Sequence, residues 1–429
     1  MRRVFINSVT PDMRLGRPIR GPRGELLLAA GVTITAGHLS LLRERGFLFL
    51  YVEDGHTNDI ELRDILSHEV RAKTVRAIEK VQTFLARAAE RMDISSLEAT
   101  HRSLQGHTFA LVTRKLQDLY DLSDAAAALV EEVVLPNTTL GLSIIWVHDD
   151  VTFGHSLGVA VTAVMIGKLL RMEHSDLCAL ATGAMLHDAG KVFIDRKVLD
   201  KPAKLSPDEM DQIREHPALG YEVLKQLYGP GVLFNHIPYQ HHERQDGTGY
   251  PRGLFGTNQL AAARERRPAG QVLPMAEISA IADVYDALNS DRPYRPALPA
   301  EQILEILREM SGSALNSAML GRFLDVVAPY PVGSEIVVHG GDIDGFKGVV
   351  LRQNRNDLLR PIVRLFHDAK GNLVPHFEVD LQAHSAIGIA PTIIIPPEAF
   401  APSTRFDPKD LLLRLRRTAE REISHPLVC

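Results

Sequence analysis

An adjacent histidine and aspartate, His187 and Asp188, follow an apolar stretch with helical spacing in ALATGAMLHDAGK. An imidazole nitrogen and a carboxylate oxygen are both good ligands for Mn, Fe or Zn, and a carboxylate can bridge two ions. Gly190 predicts the end of the helix, with Lys191 just beyond it. Taken alone, such a pair more often caps a helix or lies at the surface, so its role depends on the rest of the chain.

Further histidines and one more aspartate of suitable type lie on either side of this pair. The full set of candidate metal ligands is His155, His187, Asp188, His216, His241, His242 and Asp283. Their joint occurrence favours a two-metal centre, which can activate water and stabilise charge on phosphoryl and leaving oxygens. Asp286 shares a helix face with Asp283, and we favour Asp283 as the ligand. The set therefore predicts metal-dependent hydrolysis of a phosphodiester.

A loop rich in glycine follows the paired histidines in HHERQDGTGYP. Gly247 and Gly249 permit positive φ, and Pro251 restricts Tyr250 towards an extended conformation. Such a rigid loop can present Tyr250 to a base or a sugar, although a purely structural turn explains the same residues. We count Asp246, Gly249 and Tyr250 as candidate substrate-binding residues.

Cations that could contact the substrate follow in SDRPYRPA. The guanidinium groups of Arg292 and Arg295 suit bidentate phosphate contacts, with solvated surface arginines as the alternative. The net charge of −5 over 429 residues gives no case for a nucleic-acid partner. A small anionic ligand needs only such local cations.

The composition is that of a globular protein, with 45% hydrophobic and 24% charged residues. Two cysteines cannot form a disulfide framework and suit a reducing compartment, so we expect a cytoplasmic protein. The sequence shows neither a signal peptide nor an apolar stretch long enough to span a membrane. We therefore expect no transmembrane segment.

Changes in sequence pattern divide the chain into five segments. Residues 1–54 alternate short apolar runs with turn signals and predict a small α+β module, and residues 55–138 predict a helical connector. Residues 139–330 are mainly helical and contain the candidate site. Residues 331–395 alternate like a small antiparallel β domain, and residues 396–429 combine a proline-rich linker with an amphipathic tail helix. The connector helices favour a homodimer, although no clean heptad is visible.

Four motifs in order, HDAGK, HPALG, HHERQDGTGYP and IADVYDALNSDRPYR, resemble those of the HD-GYP family, a branch of the HD phosphohydrolases. The resemblance covers residues 149–330 and implies an all-α catalytic core within a multidomain chain. It implies a bacterial signalling enzyme that hydrolyses cyclic di-GMP to pGpG, with GMP left open as a further product. It also implies two divalent ions, Fe or Mn, held by the ligand set above and bridged by the attacking hydroxide.

The resemblance assigns roles to residues beside the ligands. Asp188 and Lys191 take catalytic positions, the lysine stabilising charge on the scissile phosphate, and Arg292 and Arg295 take phosphate-contacting positions. Val151 stands where some members carry a glutamate associated with a third metal, so we expect two ions. The chain between the GYP motif and Asp283 is longer than is usual in the family. We expect residues 256–272 to form an exposed inserted loop that covers the pocket or alters substrate choice.

Two other functions stay open at this point. A signalling adaptor could bind cyclic di-GMP without turnover, although the intact ligand set and Lys191 argue against it. An enzyme of the same kind could act on another cyclic dinucleotide or nucleotide.

Overall fold

The computed structural model describes most of the chain up to residue 390. The described residues are 1–21, 25–44, 47, 49–60, 65–94, 96–106, 109, 118–135, 151–201, 205–289, 300–354 and 356–390. Arg292, Arg295 and the predicted linker and tail helix of residues 396–429 lie outside them.

Helices make up most of the regular structure. They are α1 (Ala36–Glu44), α2 (His68–Ala89), α3 (Leu97–Gln105), α4 (Asp118–Val134), α5 (Val151–Leu169), α6 (His174–Met185), α7 (Arg196–Leu199), α8 (Pro207–Ile213), α9 (His216–Tyr228), α10 (His236–Gln240), α11 (Pro274–Asn289), α12 (Ala300–Met310) and α13 (Ser317–Leu324). Among the described residues, none of these helices combines the length and the apolar character that a membrane crossing requires.

Short strands lie towards both ends of the chain. They are β1 (Arg2–Phe5), β2 (Arg14–Leu15), β3 (Ile19–Arg20), β4 (Leu26–Leu28), β5 (Phe49–Glu53), β6 (Glu335–His339), β7 (Lys347–Arg352), β8 (Ile362–His367), β9 (Leu373–Asp380) and β10 (Gly388–Ile389). This confirms the expectation of a mainly helical core with small sheets at both ends.

The helices and strands group into two compact units, each assembled from separate stretches of chain. The first unit contains Met1–Lys80, Asp118–Ala181 and Gly321–Thr392, and the second contains Val81–Gln117 and Thr182–Leu320. The five predicted segments and the dimer contact through the connector stay predictions.

Two antiparallel sheets contribute to the first unit. The strand order is β1-β5-β2 near the amino terminus and β10-β6-β7-β8-β9 in the carboxyl-terminal part. Alternation of apolar residues buries one face, as in β6, where Ile336 and Val338 point into the core. Arg364 on β8 donates two hydrogen bonds, of 2.6 and 2.8 Å, to the carboxylate of Asp59, so these residues join β8 to the segment after β5.

Helix α11 lies at the centre of the second unit, because nearly every one of its side chains is buried. Helix α10 packs against both α9 and α11. Helix α9 begins at His216 with a proline in its first turn, and Gly229, with φ of 91°, ends it. These three helices, with the end of α6, supply the candidate ligands of the second unit.

A short 3-10 turn, Ala189–Phe193, packs directly on α9. At Gly190 a Cβ atom would lie 2.0 Å from the carbonyl oxygen of His216 and 2.6 Å from the backbone nitrogen of Gly220. Only a residue without a side chain fits between the two backbones. Gly190 therefore sets the distance between Asp188 and the first residue of α9.

We expect Gly190→Ala to lower the free energy of unfolding by about 2–3 kcal/mol or more, because the added methyl group forces two backbones apart. The matched control is Gly321→Ala on α13, where a Cβ atom meets nothing within 4 Å. The control should be neutral or stabilising by up to about 1 kcal/mol. Urea unfolding monitored by circular dichroism measures both, and equal stabilities of the two variants would contradict the proposed contact.

Candidate metal centre

The His187 ring is fixed just after helix α6. The helix ends at Met185, before the Gly190 that the sequence suggested, and His187 Nδ1 lies 2.8 Å from the carbonyl oxygen of Ala184. A carbonyl oxygen only accepts hydrogen bonds, so Nδ1 carries the ring proton and the Nε2 lone pair stays available. The residue is fully buried. His187 therefore presents one ligating nitrogen in a fixed direction.

His216 and His241 are held by the same kind of contact. His216 Nδ1 donates to the carbonyl oxygen of Ile213 at 2.6 Å, and His241 Nδ1 donates to that of Pro238 at 2.8 Å. Each acceptor lies three residues before its histidine. The two Nε2 atoms are 3.4 Å apart. Backbone carbonyls thus direct both rings towards one point.

The Asp188 carboxylate occupies that point. Its Oδ1 atom lies 3.3 Å from His216 Nε2 and 3.8 Å from His241 Nε2, while Oδ2 lies 3.2 Å from His187 Nε2. The Lys191 ammonium donates to Oδ2 at 2.7 Å. The two carboxylate oxygens face different histidines, which is the arrangement of a carboxylate that can bridge two ions.

His242 and Asp283 complete the cluster within the second unit. Asp283 on α11 is only 2% exposed, and its Oδ1 lies 3.9 Å from His187 Nε2. The His242 ring centroid lies 4.0 Å from that of His241 and 5.0 Å from that of His216. The buried Nε2 atom of His242 has no hydrogen-bond partner within the part of the chain that the structure describes.

The spacing of these donor atoms fits divalent metal ions. One atom from each of His216, His241 and His242 lies within 4.8 Å of the others, and the same holds for His187, Asp188 and His241. Bonds of about 2.0–2.2 Å place neighbouring ligands of one ion roughly 3 Å apart. The contacts of 3.2–3.4 Å between these atoms therefore match the edges of a coordination shell. The donor set of imidazoles and carboxylates suits Fe, Mn or Zn.

Burial favours the neutral form of three of these histidines. It lowers the pKa of His216, and burial together with the nearby His187 and His216 lowers the pKa of His241 to about 3. The pKa of His242 is held well below its usual range by burial and by His241. Neutral imidazole is the form that binds metal, so these rings need not lose a proton near neutral pH.

The Asp188 carboxylate stays ionised. Burial alone would raise its pKa, but the neighbouring His187 and Lys191 hold the pKa well below its usual range. The cluster therefore combines an ionised carboxylate with the imidazoles of His216, His241 and His242, whose neutral form is favoured.

Three predicted site residues lie outside the described part of the second unit. His155 lies on α5 in the first unit, and its role as a ligand stays a prediction. Arg292 and Arg295 fall in the stretch that the structure leaves undescribed. Asp286 is also buried on α11, one turn beyond Asp283, with 5% of its surface exposed.

Comparisons with known proteins agree with this geometry. The family model for the HD domain matches residues 139–318. A cyclic di-GMP phosphodiesterase of Pseudomonas aeruginosa is 33% identical over 289 residues, which cover 66% of this chain and 64% of the relative. Residues 139–318 form an HD domain.

Two further relatives are similar to shorter stretches of the chain. The 3′3′-cGAMP-specific phosphodiesterase 3 of Vibrio cholerae is 35% identical over 165 residues, 38% of this chain and 33% of the relative. The cyclic di-GMP phosphodiesterase response regulator RpfG of Xanthomonas campestris is 37% identical over 155 residues, 35% of this chain and 36% of the relative. The chain thus spans between about one third and two thirds of the length of these relatives.

The GYP loop, residues 246–251, packs on the candidate ligands. The Tyr250 ring stacks on His242, with ring centroids 4.7 Å apart, and the Tyr250 N–H donates to the His242 carbonyl oxygen. Gly247 has φ of 77°, whereas Gly249 does not use the positive φ that a glycine permits. A Cβ atom at Gly249 would lie 2.5–2.6 Å from backbone atoms of residues 243 and 244. Gly249 is needed for close approach rather than for its φ.

Asp246 forms hydrogen bonds with residues in and just before the GYP loop. Its carboxylate accepts hydrogen bonds from Arg244 and Thr248, and these bonds, led by that from Arg244, lower its pKa to about 2. The predicted role of Asp246 in substrate binding stays a prediction.

Two polar residues that follow the paired histidines escaped our sequence reasoning. The buried Glu243 carboxylate accepts hydrogen bonds of 2.8 Å from the backbone N–H groups of Arg252 and Leu254, and burial raises its pKa. Gln245 donates to Glu277 on α11 at 2.8 Å. Both residues fix the GYP loop. Their place directly after the histidines was the only signal, since burial is not visible in a sequence.

The predicted insertion, residues 256–272, is mostly exposed or half-buried, with Ala263 and Val272 buried. The Arg267 side chain is only 4% exposed and lies 3.7 Å from the carboxylate of Glu277. Arg267 also donates to Thr257 at 2.6 Å. Ala263, Val272 and the Arg267 side chain thus depart from the exposed loop that we expected, and the charge of Arg267 is compensated inside the unit.

We expect His241→Ala to reduce the bound metal strongly, because His241 belongs to both ligand groups in the second unit. The matched control is His174→Ala, which changes an exposed histidine on α6. Metal content after reconstitution with Mn(II) and gel filtration measures the effect, with circular dichroism as the check of folding. A folded His241→Ala variant that retained the wild-type metal content would show that the cluster is not a metal site.

Proposed function

We propose that this chain is a metal-dependent phosphodiesterase that hydrolyses cyclic di-GMP. The observation that carries the proposal is the Asp188 carboxylate, which three histidine nitrogens approach within 3.8 Å and the Lys191 ammonium within 2.7 Å. The proposed ligands of two divalent ions, Fe or Mn, are His155, His187, Asp188, His216, His241, His242 and Asp283. When bound, such ions supply an activated water and neutralise charge on the phosphoryl and leaving oxygens.

Lys191 supports the same reaction from beside the ligands. Its side chain is 18% exposed, so the ammonium group lies where the cluster meets solvent. An ammonium held in advance beside the ligands stabilises the charge that develops on the non-bridging oxygens of a phosphoryl group. Asp188 holds that ammonium in place and so acts both as a ligand and as the partner of the lysine.

The buried ligands also limit which proton transfers can occur. The low pKa values of His216, His241 and His242 keep these rings neutral at the pH of the reaction. Each Nδ1 proton of His216 and His241 is already donated to a backbone carbonyl. These histidines therefore serve as fixed ligands rather than as general acids.

The substrate class follows from the relatives. Those from Pseudomonas aeruginosa and Xanthomonas campestris are named as cyclic di-GMP phosphodiesterases, which favours this substrate here. Hydrolysis of one phosphodiester opens the ring to linear pGpG, and a second hydrolysis would release GMP. The Vibrio cholerae relative, named as specific for 3′3′-cGAMP, makes that cyclic dinucleotide the second candidate.

We expect the chain, reconstituted anaerobically with Fe(II) or Mn(II), to convert cyclic di-GMP to pGpG. His187→Ala and Asp188→Ala should each lower kcat/KM by roughly three orders of magnitude, because each removes a ligand. His174→Ala is the control. Chromatographic product analysis with cyclic di-GMP and 3′3′-cGAMP as substrates reports activity, preference and extent of cleavage. Undiminished hydrolysis by both ligand variants would contradict the metal-dependent mechanism. Binding of cyclic di-GMP without hydrolysis by the wild type would favour the alternative function as a signalling adaptor.

We expect Lys191→Ala to lower kcat on the order of 10²-fold to 10³-fold, the loss typical of removing one group that stabilises transition-state charge. Metal content should stay near the wild-type value, because the ammonium contacts the carboxylate and not the ions. Single-turnover kinetics with measured metal content separates these effects. A loss of activity that metal addition restored would assign Lys191 to metal retention instead.

A further inference from the structure

The described residues of the candidate metal centre in the second unit differ in how much of their surface is exposed. His187, His216, His241 and Asp283 are each at most 3% exposed and form the buried floor. Asp188, Lys191 and His242 retain some exposure. A substrate can therefore reach the cluster of the second unit at these three residues.

Tyr250 lies next to His242, one of these three residues. Its ring stacks on His242 at 4.7 Å with an interplanar angle of 24°. The ring is only partly buried, and the hydrogen bond from its backbone N–H to His242 keeps the two residues in register. A group that lies against Tyr250 is therefore a fixed neighbour of the metal centre.

Arg214 is that neighbour. Its guanidinium carbon lies 5.8 Å from the centroid of the Tyr250 ring. The residue follows α8 and precedes His216 by two positions, and the carbonyl of Ile213 just before it holds the His216 ring. The base of the arginine side chain is thus fixed by the same backbone that fixes a ligand.

The charge of Arg214 is available to a ligand. Its ion pair with Asp211 joins residues three apart at 3.2 Å, and the side chains are 44% and 70% exposed. An exposed ion pair of this kind contributes little to the stability of the fold, so an anionic ligand can replace Asp211 as the partner of Arg214 with little loss of free energy. Arg244 differs, because Asp246 and Thr248 already accept hydrogen bonds from its guanidinium group.

A cyclic dinucleotide carries two phosphodiester groups, and only one can lie at the metal centre when it is cleaved. The other is a non-reacting anion that the protein must bind if it is to distinguish a cyclic dinucleotide from a simple phosphodiester. We propose that Arg214 is a substrate-binding residue that contacts this second phosphodiester, a role that rests on the proposed function. A planar guanidinium group suits a phosphate, and its contact acts on binding rather than on the chemical step.

Arg214→Ala should raise KM for cyclic di-GMP on the order of tenfold and leave kcat within about twofold. This is the effect expected when a hydrogen bond from a charged group is lost equally from the bound substrate and from the transition state. Arg214→Lys should restore part of the loss. Asp211→Asn is the matched control, because it removes the surface partner and keeps the cation, and its KM should not rise. With bis(p-nitrophenyl) phosphate, which has a single phosphodiester, KM should be the same for wild type and Arg214→Ala.

Other outcomes overturn the assignment. If Arg214→Ala lowers kcat for both substrates or loses metal, Arg214 supports Tyr250 and His242 and does not contact substrate. An unchanged KM for cyclic di-GMP overturns it as well.

The proposed reaction is tested separately by the wild type with each substrate. If cyclic di-GMP binds but is not hydrolysed, the proposed reaction is wrong. The role of Arg214 in binding is then tested by calorimetric Kd values for cyclic di-GMP, measured in a Lys191→Ala background. In that background Arg214→Ala should raise Kd by the same factor of about ten. Equal Kd values, or no binding to either protein, would contradict the role of Arg214.

Discussion

The Asp188 carboxylate is a largely buried negative charge, and histidines from three neighbouring parts of the second unit surround it. A buried charge of this kind is stable only beside hydrogen-bond donors or compensating positive charge. Here the Lys191 ammonium donates to one oxygen and adds a positive charge, whereas His187, His216 and His241 face the two oxygens with Nε2 lone pairs and supply no proton. Divalent ions between these atoms would complete the compensation, so the same residues that need a cation are those that can hold one.

The rings can surround Asp188 because the backbone fixes them one by one. His187, His216 and His241 each use Nδ1 for a carbonyl oxygen three residues earlier, which turns Nε2 towards the carboxylate. Gly190 lets the turn after Asp188 touch α9, which brings the aspartate to His216. Metal affinity in this unit therefore depends on helix ends and close backbone contacts as much as on the ligands themselves.

Much of this site could be predicted from the sequence, because ligand chemistry is a property of residue type and motif order. All the predicted ligands of the second unit lie in one cluster, with Lys191 beside them. Packing could not be predicted in the same way. The stacking of Tyr250 on His242, the close approach at Gly249 and the buried charge of Arg267 depend on which backbones come together. In the fold, alternation and helical spacing indicated the sheets and helices, whereas the assembly of each unit from separate stretches depends on long-range contacts.

Electron paramagnetic resonance of the Mn(II)-reconstituted chain tests most directly whether Asp188 joins two ions. The account predicts exchange-coupled spectra from a Mn(II) pair, which become spectra of isolated Mn(II), or disappear, in Asp188→Ala. Coupling arises only between ions that share ligands at short distance. Spectra of isolated Mn(II) in the fully loaded wild type would contradict the central claim that this carboxylate bridges a two-metal centre.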